Sequence, residues 1–173
     1  MYVPNKKQRA MIQRQFAADN LSVPATFRPP VALLIDSPNA FNTAKTLGEA
    51  VRPDYRAIRA IASSYGYLER AQIFVNPGFK NPGRWEPDFE VVRGTDRDCD
   101  HLVVSSAVAA LASGTQILIV VSGDHRFLEI AEVCVRLGVR FIAIGVPGRT
   151  NRRLRTAFGF HPLPTFEIPT VAA

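Results

Sequence analysis

Cysteine is nearly missing from this chain: Cys99 and Cys134 are the two thiols in 173 residues, too few and too far apart for a disulfide framework or a cysteine zinc motif. Histidine is scarce too, and His101, His125 and His161 show no metal-ligand spacing, which argues against a zinc hydrolase. No apolar run approaches the roughly 18 to 20 residues needed to cross a bilayer. The opening MYVPNKKQRAMIQRQF lacks the apolar centre of a secretory signal. A soluble, cytoplasmic protein with reduced thiols and no membrane partner is expected. Neither a GxGxxG fingerprint nor a Walker-type GKS/GKT loop occurs, which counts against a nucleotide-binding or small-molecule phosphohydrolase reading. Acid is the minority charge, with 15 Asp and Glu against 21 Lys and Arg.

What is present is a core. The hydrophobic fraction is 47% and the charged fraction 21%, and apolar runs recur from Val31 to Ile144. This length and pattern fit one globular domain. The formal net charge of +6 favours a polyanionic partner, because basic side chains displace counterions from a phosphate backbone.

Residues 1–30 are polar and basic, with a short helix predicted from about Lys6 to Ala18, and read as an N-terminal arm ended by the prolines of SVPATFRPP. Residues 31–160 read as the domain, and 161–173 as a tail or edge strand. VALLID is a continuous apolar run, the pattern of a buried parallel strand. A helix is predicted in RPDYRAIRAIASSYG, a strand in RAQIFVN, a Pro/Gly-rich loop in PGFKNPGRWEPD and a strand in FEVVRG. Then follow a helix in DCDHLVVSSAVAALASG, a strand in TQILIVVSG, a helix in HRFLEIAEVCVRLG, a strand in VRFIAIG and a short basic helix or turn in RTNRRLRTAF. The prolines around Thr165 to Ile168 confine any strand there to an edge. Alternating strands and helices indicate an α/β fold with a mainly parallel central sheet flanked by helices.

In such sheets ligands bind at the carboxyl ends of the strands. Asp36 and Asp124 each follow an apolar strand directly, so both are expected at one crevice. The plainer alternative is that each only caps a following helix or loop. GTDRDCDHLVV adds Asp96, Asp98 and Asp100 just before a helix. Clustered carboxylates repel unless cations neutralise them. Convergence of Asp36, Asp100 and Asp124 with Asp96 or Asp98 therefore points to a hard divalent ion such as Mg²⁺ or Mn²⁺, which suits phosphodiester hydrolysis.

Three spaced motifs, LLIDSPNAFN, RGTDRDCDHLVVSSAVAAL and ILIVVSGDHRF, resemble the NYN domain family, relatives of the PIN-like ribonucleases, over roughly Val31 to Gly145. The resemblance implies a Rossmann-like PIN fold and Mg²⁺- or Mn²⁺-dependent hydrolysis of RNA. Carried over motif by motif, it implies that Asp36, Asp100 and Asp124 hold metal, with Asp96 as the competing alignment for Asp100. It further implies that Asn39 orients a ligand or water and that Ser122 supports the site. Gly123 is expected because a side chain would crowd the turn or the substrate. Relatives commonly carry a second acid two residues after the SGD aspartate, where this chain has Arg126. A cation there either weakens metal binding or meets substrate phosphate.

Arg149, Arg152, Arg153 and Arg155 cluster after the VRFIAIG strand and are candidates for phosphate contact. Lys80, Arg84 and Trp85 of the Pro/Gly-rich loop are candidates for holding single-stranded RNA. The expected function is a metal-dependent ribonuclease with RNA as partner. The alternatives left open are a non-catalytic RNA-binding module of the same family and a homo-oligomeric state.

Overall fold

The computed structural model describes residues 28–78, 89–95 and 98–168. Residues 1–27 of the arm expected at 1–30, Lys80, Arg84 and Trp85 of the Pro/Gly-rich loop, Asp96, and residues 169–173 of the tail expected at 161–173 lie outside the described residues.

Among the described residues, six parallel strands form the main sheet. In chain order they are β1 (Pro30–Asp36), β3 (Tyr67–Val75), β4 (Glu90–Arg93), β5 (Ile117–Val121), β6 (Arg140–Gly145) and β7 (Gly159–Pro162), arranged β4-β3-β1-β5-β6-β7. Two short strands, β2 (Val51–Pro53) and β8 (Thr165–Glu167), pair antiparallel in a sheet of their own. The strand expected near Thr165 thus exists, but it stands apart from the main sheet. β7 was not anticipated, and it carries the main sheet to Pro162.

The helices are α1 (Ser37–Lys45), α2 (Tyr55–Tyr65), α3 (Asp100–Ala112), α4 (Leu128–Leu137) and α5 (Arg152–Ala157). β1 is central, and its alternate side chains feed two cores. Val31, Leu33 and Ile35 pack with Ala40 and Ala44 of α1 and Ile58 and Ala62 of α2. Ala32 and Leu34 pack with Val103 and Ala107 of α3, Ile130 and Cys134 of α4, and Leu154 of α5. Burial on both faces is why VALLID carries no polar alternation.

Helix α1 follows β1 directly at DSPNAFN, where the sequence alone left helix and loop open. The Asp36 side chain caps it, accepting from the Asn39 amide at 3.2 Å, and Pro38 sits in its first turn. A proline there loses no intrahelical hydrogen bond, because the first amides of a helix have no partner. Gly66 ends α2 at a close approach: a Cβ there would lie 2.0 Å from the Pro29 carbonyl oxygen. Among the described residues no helix is long and apolar enough to cross a membrane.

Candidate active site

The strand order reverses about β1. The chain moves from β1 to β3 and β4 on one side and returns to β5 on the other, which opens a crevice beyond the carboxyl ends of β1 and β5. Asp36 ends β1, and Ser122, Gly123 and Asp124 follow β5 directly.

Ser122 ties the two strand ends together. Its hydroxyl donates to Asp36 Oδ2 at 3.1 Å and accepts from the Asp124 amide at 3.3 Å. Asn39 makes a second tie, its side-chain oxygen accepting from the Gly123 amide at 3.1 Å. That oxygen is therefore engaged in holding the loop, and Asn39 also lines the crevice. Asp124 caps the 3-10 turn His125–Phe127 by accepting from the Arg126 amide at 3.0 Å, and its Oδ1 lies 2.9 Å from His125 Nδ1. Both aspartates that follow strands are thus caps, and both also line one open cavity of about 300 Å³. Capping and ligand-facing are compatible because a carboxylate has more acceptor sites than a cap uses.

Asp98 and Asp100 line the same cavity, and Arg126 lies across them. Its guanidinium contacts Asp98 Oδ2 and lies 2.6 Å from Asp100 Oδ2. The two carboxylates share this partner yet titrate in opposite directions. Asp98 is lowered, first by the Asp100 backbone amide and then by Arg126. Asp100 is raised, first by burial and then by the charges of Asp98 and Asp124, in spite of Arg126. Asp36 is affected most. Burial, followed by Asp100 and Asp124, pushes it up to about 7 against the hydrogen bonds from Asn39 and Ser122.

Sequence reasoning missed Asn42, which lines the cavity one helical turn beyond Asn39. The signal was Asp-Ser-Pro at 36–38, which reads as a cap followed by a first turn. Cys99 also lines the cavity, but burial and the neighbouring aspartates push its thiol up to about 11. It stays protonated, so the ionisable donors here are oxygens.

The basic segment begins at this site. The Asn151 amide donates to the Gly123 carbonyl at 2.9 Å, and a Cβ on Gly123 would lie 3.0 Å from the Thr150 Cα. The crowding expected at Gly123 is therefore with the 149–150 backbone. Arg149, Arg152 and Arg153 are exposed, Arg155 is half-buried, and Arg153 reaches Glu132 at 2.8 Å.

The donor set suits a hard divalent ion in its chemistry: carboxylates face one polar cavity, and burial together with mutual repulsion raises Asp36 and Asp100. It is not a preassembled cage. Among the described residues no group of three or more His, Cys, Asp or Glu side chains stands arranged to hold a metal.

Comparison with curated proteins finds no match. A solved structure, a protein of unknown function from Vibrio parahaemolyticus, is similar in fold, with a TM-score of 0.69 and 18% identity over 82% of this chain and 97% of that one. The NYN domain model matches residues 30–164, which takes in the whole main sheet and the carboxylate crevice. The chain belongs to the NYN domain family and has the PIN-like nuclease fold of that family.

Proposed function

We propose that the protein is a metal-dependent ribonuclease that hydrolyses RNA phosphodiester bonds at the crevice of Asp36, Asp100 and Asp124. The observation that carries this reading is the convergence on one cavity of carboxylates that the chain supplies from positions 36, 98, 100 and 124. Asp36, Asp100 and Asp124 would hold a Mg²⁺ or Mn²⁺ ion, which would supply charge for the scissile phosphate and a more acidic water. The chain's own residues do the rest. Ser122 and Asn39 hold the ends of β1 and β5 in register. Asp36, once ionised, accepts a proton from the attacking water or binds the ion. Arg149 and Arg152 take the phosphates that flank the scissile one, with Arg153 and Arg155 beside them.

The test is cleavage of single-stranded and structured RNA in Mn²⁺ against EDTA, with Asp124→Asn purified in parallel. Cleavage that requires metal and is lost in the variant is expected. Equal cleavage by both proteins identifies a contaminating ribonuclease and sinks the reading. The contact of Arg126 with Asp100 favours one rival, a non-catalytic RNA-binding module. That rival requires RNA binding that survives EDTA with no metal-dependent cleavage.

The basic segment carries its own prediction. Replacing Arg149 and Arg152 together by alanine should weaken RNA binding and flatten the plot of log affinity against log salt by about 1.4, since each phosphate contact to a single strand contributes about 0.7. Filter binding or anisotropy between low and moderate salt measures the slope, and an unchanged slope removes these arginines from the RNA path.

A further inference from the structure

The relation between Arg126 and the carboxylates is not that of a scattered surface charge. The Arg126 backbone amide is bonded to Asp124, and its guanidinium spans Asp98 and Asp100 through one nitrogen, Nη1. The residue thus joins carboxylates from both rims of the crevice, the Asp124 turn and the start of α3. Asp98 and Asp100 are joined to each other as well, with the Asp100 amide donating to Asp98 Oδ1 at 2.9 Å.

These two acids are unlike in exposure. The Asp98 side chain is 53% exposed and that of Asp100 16%. Water screens Asp98, whereas Asp100 faces the charges of Asp36 and Asp124 across the cavity. Of the two, Asp100 is therefore the carboxylate with the greater need of a cation, and Arg126 provides one from within the chain.

We infer that Arg126 supplies one of the cations of this crevice. Its guanidinium occupies the Asp98 and Asp100 side, a single divalent ion is accommodated beside Asp36 and Asp124, and the two cations compete for Asp100. The inference rests on the metal-dependent reading above and specifies its stoichiometry. It makes Arg126 a positioning residue acting through Asp100. The exchange is feasible because the Arg126 side chain is 52% exposed, and exposed ion pairs are weakly held.

The test is Mn²⁺ titration of the full chain by isothermal calorimetry, without nucleic acid. Wild-type protein is compared with Arg126→Ala and with Arg93→Ala, the latter removing an exposed arginine at the carboxyl end of β4. Wild type should take up one Mn²⁺. Arg126→Ala should bind Mn²⁺ at least about tenfold more tightly, since an opposite charge in contact shifts a carboxylate's affinity for a competing cation by that order. Arg93→Ala should stay within about twofold, since this exposed charge does not line the cavity and is screened by water and salt. Uptake of two Mn²⁺ by wild type, or equal affinities for wild type and Arg126→Ala, overturns the inference and leaves the ribonuclease reading intact. Equal tightening in both variants also overturns it, as a general charge effect. Absence of Mn²⁺ binding in all three proteins removes the metal-dependent reading and this inference with it.

Discussion

Asp36→Asn should stabilise the protein above pH 7 while abolishing metal-dependent cleavage. Asp36 is 4% exposed, and burial with the charges of Asp100 and Asp124 moves it from 3.8 up to about 7. Between these values the unfolded chain releases a proton that the native protein keeps. The native state then binds more protons than the unfolded one, so stability falls as pH rises through this window. Once both forms are ionised, the accumulated cost is on the order of 4 kcal/mol, at about 1.36 kcal/mol per pH unit. Asparagine removes the charge and keeps an acceptor for the Asn39 amide. Urea unfolding in EDTA from pH 4 to 8 measures the effect. The difference between variant and wild type should be near its minimum at pH 4 and grow to a few kcal/mol at pH 8. Parallel curves would show that Asp36 carries no such strain. Added Mn²⁺ should stabilise wild type at pH 8 and leave the variant nearly unchanged, because an ion bound only by the native state adds to its stability.

Phe127→Ala should cost about 3 to 5 kcal/mol, the range for removing a fully buried aromatic ring. The Phe127 side chain is 1% exposed and belongs to the core under α3 and α4. That loss is a large part of the roughly 5 to 15 kcal/mol by which single domains are stable. Phe127 also closes the turn that Asp124 caps, so the ring anchors the loop presenting that carboxylate. Denaturant unfolding and Mn²⁺ titration should both report the loss. Phe127→Leu, which keeps most of the apolar volume, should cost far less and retain Mn²⁺ binding. A destabilisation below about 1 kcal/mol for Phe127→Ala would mean that the site collapses to refill the space, and that the loop is anchored elsewhere.

Much of the fold was legible because buried parallel strands leave continuous apolar runs. VALLID and ILIVV show this directly, as both faces of the sheet are covered and no position has a reason to be polar. The helix at Ser37–Lys45 escaped notice because Pro38 reads as a breaker unless Asp36 is seen as its cap. β7 escaped because GFHP is short and half-buried, without a pattern of its own. β8 was visible as an edge segment, but its partner was not: β2 is a three-residue strand bracketing Arg52, and its pairing joins residues far apart in the chain.

For the candidate site, the chain order by itself determined that Asp36 and Asp124 come at or just after strand ends and that the acids of GTDRDCD come just before a helix, since these follow from local apolar pattern. The tertiary structure decided how the groups meet. Ser122 reaches Asp36 across 86 residues, a bond that depends on β1 and β5 being neighbours. Asn39 spends its oxygen on the Gly123 amide, which spacing could not reveal. Arg126 was visible as a cation in place of an acid, but its hold on Asp98 and Asp100 arises only when the start of α3 packs beside the turn after β5. Hydrogen bonds and charge contacts act over a few ångströms in space, and distance along the chain does not record them.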